Sequence, residues 1–227
     1  MKTGMKYFVL TLAILSIVNT TALAADKHQI IITKNGSQSV VSESSGKVVP
    51  SQPGFGAGLT KIYDNFSVYP LGTYWCCYAW SITGTGSGNS YQSIGIPFTP
   101  SNNATIKTIG VGVGWSGGAN EVTVSVNADA AGIPGDSLGS FQVTGMPIEG
   151  TCCRLSGKGN LAIPVTAGIQ YWIVVQPTTP DSSTWADWNW NDTDQVDTFQ
   201  PYAWNGGGGW NVGSGYPAAF AVLGTTN

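Results

Sequence analysis

Few side chains in this sequence could carry out acid-base or nucleophilic chemistry. The chain has one histidine, His28, and its glutamates are Glu43, Glu121 and Glu149. Ser-His-Asp and Cys-His catalysis both need a positioned base, and the single histidine lies in a polar segment near the N-terminus. Glycosidases need only two carboxyl groups in a cleft, but no motif brings two acids together. We therefore predict that the protein is not an enzyme and has no catalytic residues, with a carboxylate-dependent hydrolase as the remote alternative.

The four cysteines form two vicinal pairs, Cys76-Cys77 and Cys152-Cys153. An even number of cysteines in an exported protein favours disulfides. Each pair could close on itself, or the two pairs could be cross-linked in either of two registers, and the sequence leaves all three connectivities open. Free or redox-active thiols and a metal site are the alternatives. The spacing argues against zinc, because structural zinc ligands usually come in pairs separated by two to four residues.

An acidic cluster late in the chain offers oxygen ligands for a metal ion. Asp187 is followed at short intervals by Asp192, Asp194 and Asp197. Oxygen ligands two residues apart are typical of calcium-binding loops, although the glycine and glutamate that an EF-hand requires are missing. We predict no cofactor, and we name calcium at Asp192, Asp194 and Asp197 as the one candidate. The alternative interpretation is a solvated loop that helps solubility.

Tryptophan is abundant, and five of the nine tryptophans lie between Trp185 and Trp210, interleaved with asparagines. An exposed indole ring offers a flat apolar face to the C–H side of a pyranose, and a neighbouring Asn or Asp can bond its hydroxyls. Because Trp75, Trp204 and Trp210 lie beside turn residues, we predict that they are exposed and bind a polysaccharide or cell-surface glycan. The alternative is that the aromatic side chains are mostly core residues, since each ring buries a large area.

The composition excludes several functional classes. Charged residues make up 9% of the 227 residues, against about 25% in an average soluble protein. The net charge of −3 offers no basic stripe, so we predict no nucleic-acid partner. Disordered chains have few aromatics and many charges, the reverse of this one. With 31 glycines and 9 tryptophans, the chain is typical of an extracellular all-β domain.

Residues 1–24 have the features of a secretory signal peptide. Lys2 and Lys6 precede an apolar run over residues 7–18, and Ala22 and Ala24 form a small-x-small exit. The run is too short for a membrane span, which needs about 20 residues, and no later segment approaches that length. We predict cleavage after Ala24, a secreted, periplasmic or extracellular mature protein, and no membrane insertion.

The rest of the sequence divides into two parts. Residues 25–60 hold too few apolar side chains to offset the entropy of ordering, which predicts a flexible polar leader. Residues 61–227 show short runs of period two, for example Val122, Val124 and Val126 alternating with polar residues. Turn signals separate these runs at intervals of about 8–14 residues. We predict an all-β domain here, an antiparallel two-sheet β-sandwich of jelly-roll type with about ten strands.

Several short motifs follow one another across residues 62–223. They are residues 63–66 (YDNF), 80–84 (WSITG), 97–100 (PFTP), 120–124 (NEVTV), 129–135 (DAAGIPG), 167–172 (AGIQYW) and 185–189 (WADWN). In this order they resemble the choice-of-anchor R type domain of secreted and surface-attached bacterial proteins. The resemblance implies an exported β-sandwich, often followed by a C-terminal anchoring signal, and it implies no catalytic residues. Residues 218–227 contain no apolar tail or basic cluster, so we expect release rather than surface anchoring.

The sequence thus predicts a secreted, non-catalytic module that binds extracellular glycan through exposed aromatic side chains. The alternative is a structural or matrix protein of the cell exterior with no small-molecule ligand. The two differ in the exposure of the three tryptophans named above, since a module whose aromatic rings are all buried has no surface on which to stack a sugar.

Overall fold

The computed structural model describes residues 29–34, 37–43, 58–65, 74–150, 156–158, 161–191 and 200–226. Within these residues the chain forms sixteen strands and one turn of 3-10 helix, Thr85–Ser87. The predicted all-β class is confirmed. The predicted signal peptide at residues 1–24 lies outside the described residues. Two strands are described within the segment predicted to be a leader, and its other residues before 58 also lie outside the description.

The strands are numbered in chain order. The first eight are β1 (Gln29–Lys34), β2 (Ser37–Glu43), β3 (Thr60–Asp64), β4 (Tyr74–Thr83), β5 (Ser93–Phe98), β6 (Ala104–Val111), β7 (Val113–Gly117) and β8 (Glu121–Asp129). The others are β9 (Pro134–Thr144), β10 (Ser156–Lys158), β11 (Ile163–Val165), β12 (Tyr171–Gln176), β13 (Trp185–Asn191), β14 (Gln200–Asn205), β15 (Trp210–Gly215) and β16 (Phe220–Thr226).

The strands form three antiparallel sheets. The first sheet has the order β1-β2-β4-β13-β7, and the second has the order β10-β6-β16-β3 with β11 also paired to β6. The third sheet has the order β15-β14-β5-β12-β8-β9. The strands outnumber the ten or so expected from the sequence. One reason is that the alternating run from Ile109 to Trp115 divides at Gly112, so that β6 and β7 belong to different sheets.

The first and second sheets join side by side. The Asn189 amide on β13 donates to the Gly112 carbonyl over 2.8 Å, and the Ala219 amide donates to the Asn189 carbonyl over 2.7 Å. The third sheet packs over both of them. Tyr202 on β14 stacks on Trp80 of β4 with ring centroids 4.4 Å apart, and residues of all three sheets form one hydrophobic core. The architecture is therefore a two-layer sandwich, and the jelly-roll connectivity stays a prediction.

The alternation read from the sequence places the core correctly in the third sheet. Val122, Val124 and Val126 are fully buried on β8, as their period of two predicts. On β12 the residues from Tyr171 to Val175 are buried on both faces of the sheet. This strand lies between β5 and β8, a central position that suits a strand buried on both faces.

The turn between β8 and β9 is organised by Asp129. One carboxylate oxygen, Oδ2, accepts the Gly132 amide over 3.1 Å, and Gly132 takes a φ of 87° that favours glycine. The other oxygen, Oδ1, accepts the indole N–H of Trp172 over 2.8 Å and the side-chain amide of Gln170 over 2.7 Å. Pro134 begins β9 and pairs with Asp129.

Replacing Asp129 by Asn is expected to remove a small, pH-dependent part of the stability. Burial favours a higher pKa for this carboxyl, but hydrogen bonds from Trp172, Gly132 and Gln170 outweigh it and hold the pKa below its ordinary value. A lowered pKa in the folded state stabilises above the unfolded pKa of about 3.9, and that stabilisation is lost as pH falls through the folded pKa. The carboxyl is exposed, so the effect should stay below about 1 kcal/mol.

Thermal unfolding of both proteins across the acid pH range checks this prediction. The wild type should be more stable than Asp129→Asn at neutral pH, and the difference should shrink in acid. A difference that is constant with pH, or that grows in acid, would contradict the stabilising role given to this carboxylate.

Candidate functional site

Trp204 belongs to the core, and the prediction that it is exposed is wrong. Its side chain is 2% exposed, and its ring centroid lies 5.4 Å from that of Tyr202. The glycines that follow Trp204 suggested a turn, but β14 continues to Asn205 before it ends. Residues 202 and 204 therefore share the inward face of the strand, by the period of two along an extended chain.

Trp210 is half-buried and lies on the outer face of the third sheet. Its ring packs against a small cluster formed by Trp172, Val174 and Ala203. Part of the ring therefore stays accessible to solvent, while its packing against this cluster fixes its position. The side chain of Trp75 lies outside the described residues, so its predicted exposure stays a prediction.

Most of the other large rings form the core, which is the alternative that the sequence left open. The fully or nearly fully buried tryptophans are Trp80, Trp172, Trp188 and Trp190. Trp190 lies between two tyrosines, with centroid distances of 5.3 Å to Tyr78 and 4.3 Å to Tyr216. Stacked and tilted rings at these distances are typical of aromatic packing in cores.

An open depression of about 680 Å³ lies at one end of the sandwich, where three loops meet. Its lining comes from the β4–β5, β12–β13 and β14–β15 connections. The lining residues are Thr85, Ser90, Tyr91, Pro180, Asn205 and the two glycines that follow Asn205. This set combines the ring and hydroxyl of a tyrosine with one amide and two aliphatic hydroxyls, and none of its members is charged.

Backbone hydrogen bonds hold the first two of these loops together. The Thr85 amide donates to the Pro180 carbonyl over 2.9 Å, and the Gly84 amide donates to the Thr184 carbonyl over 3.0 Å. The Thr85 hydroxyl also donates to the Pro180 carbonyl, over 3.2 Å. A Cβ atom on Gly84 would overlap the Ser182 carbonyl, so glycine is needed for this close approach.

Asn205 shapes the third loop. Its side-chain oxygen accepts the amides of Gly207 and Gly209, over 2.8 Å and 3.3 Å. These bonds leave the Asn205 amide nitrogen as a donor at the depression, since it makes no hydrogen bond within the part of the chain that is described. The side-chain oxygen thus stabilises the turn, and the nitrogen is available to a ligand. Both functions are possible because the amide group has one acceptor oxygen and one donor nitrogen.

Tyr91 provides the aromatic surface of the depression. Its ring is half-buried, and its hydroxyl accepts a hydrogen bond from the Ser93 hydroxyl over 2.6 Å. Tyr91 is not among the site residues predicted from the sequence. The signal that could have found it is the short polar stretch Asn89-Ser90-Tyr91, in which an aromatic residue stands between two strands with no apolar alternation around it.

Two carboxyl groups that are far apart in the sequence, those of Glu149 and Asp187, contact the hydroxyl of one serine. The Ser116 hydroxyl contacts Glu149 Oε2 at 2.9 Å and also contacts Asp187 Oδ2. A hydroxyl has one hydrogen and donates to one of these oxygens at a time. Asp187 also accepts the Ser81 hydroxyl over 3.0 Å. Asp187 therefore lies in a buried network on β13, which corrects the interpretation that placed it in a solvated loop.

This carboxyl pair bears on the hydrolase alternative. Two oxygens that share one hydroxyl partner lie within about 6 Å of each other, which is close to the spacing in retaining glycosidases. However, Asp187 is 0% exposed, so a sugar in solution cannot touch its carboxyl group in this structure. The pair fastens the β9–β10 connection to the first sheet.

The other predicted site residues lie outside the description. The side chains of Cys76 and Cys77 on β4 are not described, and neither are Cys152, Cys153, Asp192, Asp194 and Asp197. In the portion that is described, no three His, Cys, Asp or Glu side chains are grouped so that they could hold a metal ion. The disulfides and the calcium site stay predictions.

Within the described ranges, no helix is long and apolar enough to cross a bilayer. Comparison with known families finds no model that matches the chain, and comparison with curated proteins finds no significant match. The resemblance to the choice-of-anchor R type domain therefore stays a prediction from the motifs in the sequence.

Proposed function

We propose that this protein is a secreted, non-catalytic module that binds an extracellular glycan in the depression between the β4–β5, β12–β13 and β14–β15 loops. The observation that carries the proposal is the lining of that depression, where an aromatic ring, a free amide donor and two hydroxyls surround one open concavity. Secretion rests on the signal-peptide pattern of residues 1–24. Tyr91 replaces the three tryptophans predicted from the sequence as the principal residue on which a sugar stacks.

Three of the lining side chains have a defined part in this proposal. The Tyr91 ring offers its face to the C–H side of a pyranose, as a flat apolar surface of an amphipathic side chain. The Asn205 amide nitrogen donates to a sugar hydroxyl while its oxygen holds the turn. The Thr85 hydroxyl, which already donates to Pro180, can accept a hydrogen bond.

The openness of the site favours a glycan over a compact apolar ligand. Pockets for drug-like molecules enclose most of the ligand surface and are lined mainly by apolar side chains. Here the lining combines apolar surface with an amide and hydroxyl groups, and the concavity is open to solvent. Such a site suits a ligand that keeps part of its own surface hydrated, as a polysaccharide chain does.

The test is a glycan array probed with the mature protein and with Tyr91→Ala. We expect at least one glycan to bind the wild type, and we expect Tyr91→Ala to weaken that binding at least about tenfold, which is about 1.4 kcal/mol. Tyr91→Phe is the matched control, because it keeps the ring and should retain most of the affinity. Asn205→Asp removes the amide donor but keeps the oxygen that forms the turn, and it should also weaken binding.

The structural or matrix protein is the second candidate function. Burial of Trp204 and of four other tryptophans in the sandwich favours it, because those rings stabilise the domain and bind nothing. If no glycan binds, or if Tyr91→Ala binds as well as the wild type, the glycan proposal fails and this second candidate gains support.

A further inference from the structure

We propose that the ligand is an uncharged polysaccharide chain that runs across the outer face of the third sheet from Tyr91 to Trp210, with Asn205 between them. This inference rests on the proposed function and makes it more specific. It replaces a single sugar in the depression with a polymer that contacts two separate aromatic surfaces.

The strand register places the three side chains in one row. Ser93 on β5 is paired with Asn205 on β14, and Asn205 is paired with Trp210 on β15. Directly paired residues in antiparallel strands point to the same face of the sheet. Tyr91 lies on this face too, since its hydroxyl accepts the hydrogen bond from Ser93.

The distances in this row are too long for one sugar ring. Neighbouring strands are about 4.8 Å apart, so Trp210 lies about 10 Å from Ser93 across the sheet. Tyr91 precedes Ser93 by two residues, and its hydroxyl lies beside the Ser93 side chain at the β5 end of this row. A single pyranose can stack on one of the rings, whereas contact with both requires a chain of several sugars.

Trp210 is built as a fixed platform. Its ring rests on the outer cluster of Trp172, Val174 and Ala203, and Trp172 is itself anchored by its hydrogen bond to Asp129. A ring that is already ordered loses little entropy when a ligand stacks on it. The packing beneath Trp210 thus favours binding at this second surface without rearrangement.

The charge around the row favours a neutral chain. No residue that lines the depression is charged. Of the lysines in the described ranges, Lys61, Lys107 and Lys158 lie on the second sheet, and Lys34 ends β1 at the edge of the first sheet. The described charge next in sequence to the lining is an acid, Asp181, which follows Pro180.

Asp181 is ionised at neutral pH. A hydrogen bond from the Thr179 hydroxyl, 2.7 Å long, together with one from its own backbone amide, holds the pKa of this carboxyl below its ordinary value. A uronic-acid or sulfated chain in the depression would lie near this negative charge, which is adjacent to the lining residue Pro180, with no cation in the lining to balance it. Like charges in such an arrangement disfavour binding.

Affinity electrophoresis tests the inference with two sets of soluble polymers. The neutral set is starch, mixed-linkage β-glucan, xylan and mannan, and the acidic set is polygalacturonate, alginate and hyaluronan. We expect at least one neutral polymer to retard the mature protein and no acidic polymer to do so. For the polymer that binds, affinity should rise with oligosaccharide length from the monosaccharide upward and then reach a plateau.

Two variants separate the two aromatic surfaces. Trp210→Ala should weaken binding of the polymer about tenfold and leave binding of the shortest bound oligosaccharide unchanged, whereas Tyr91→Ala should weaken both. Trp210→Phe is the control, because it keeps an aromatic ring packed on the same outer cluster. Circular dichroism and thermal unfolding show whether each variant is folded.

The outcomes distinguish this inference from the proposed function. Retardation by an acidic polymer, equal affinity for monosaccharide and polymer, or wild-type polymer binding by a folded Trp210→Ala would overturn the extended neutral chain. In each of these cases glycan binding that depends on Tyr91 would still stand. If no polymer of either set binds and the glycan array is also negative, both proposals fail.

Discussion

Trp188→Ala is expected to lower the free energy of unfolding by about 3–5 kcal/mol, the usual cost of removing a fully buried large aromatic side chain. Trp188 is 0% exposed, and its ring meets that of Phe220 edge-on with centroids 6.2 Å apart. Its indole N–H donates to the Ala219 carbonyl over 2.9 Å. The substitution would therefore leave a cavity where the first and second sheets join and an acceptor without its donor.

Urea unfolding of the wild type and the variant measures this effect. Val212→Ala is the control, since Val212 is 48% exposed and its truncation should cost less than about 0.5 kcal/mol. Trp188→Phe should fall between the two, because it keeps most of the ring volume but loses the hydrogen bond to Ala219. A loss below 1 kcal/mol for Trp188→Ala would show that the sheets do not depend on this contact.

Asp187→Ala is expected to destabilise the fold by about 2–4 kcal/mol, because it leaves buried hydroxyl groups without an acceptor. The hydroxyls of Ser81 and Ser116 both contact the Asp187 carboxyl group, and Ser81 is itself buried. Alanine also leaves the carboxyl volume empty on a face of β13 that is closed to solvent.

Asp187→Asn separates the hydrogen bonds from the volume. The amide has nearly the same shape and keeps one oxygen that can accept a serine hydroxyl, so this variant should lose clearly less stability than Asp187→Ala in the same urea experiment. If Asn is as damaging as Ala, the carboxylate itself and not the hydrogen-bonded shape maintains the site. If Ala is as stable as the wild type, the network carries no stability.

The features of the fold that depend on short-range patterns could be predicted from the sequence. The period of two over β8 is a local property of an extended strand with one buried face, and the sequence states it directly. The turn at Asp129 is also local, because a carboxylate can accept a backbone amide three residues further along. The central position of β12 followed from an apolar run with no polar alternation.

The burial of Trp204 and of Asp187 could not be predicted, because both depend on partners far along the chain. Trp204 stands directly before Asn205 and four glycines, which indicated a surface turn, but its face is set by the pairing of β14 with β5 and β15. The sequence groups Asp187 with the acidic cluster that follows it in the chain. Its partners Ser81 and Ser116 are 106 and 71 residues away, and no local pattern connects them.

The type of candidate site, a glycan-binding surface with aromatic and amide side chains, could be predicted from the sequence, but its position could not. The abundance of aromatic residues and asparagine suggested a glycan surface. Asn205 lies within the tryptophan-rich part of the sequence where that surface was predicted. Tyr91 and Thr85 come from the β4–β5 loop, more than a hundred residues earlier. Their meeting with Asn205 depends on the position of β14 beside β5 in the third sheet, which is a property of the whole topology.

Glycan binding in the depression between the three loops can be tested by a nuclear magnetic resonance titration of the ¹⁵N-labelled mature protein. The probes are oligosaccharide mixtures prepared from starch, mixed-linkage β-glucan, xylan and mannan. At least one mixture is predicted to shift the backbone amides of Tyr91 and Gly207 and the side-chain amide of Asn205, while the amides of Gly139 and Ile148 on other strands and loops stay in place. If every mixture leaves the Tyr91 and Asn205 resonances unchanged, or if the shifts lie elsewhere on the protein, this depression is not a glycan-binding site.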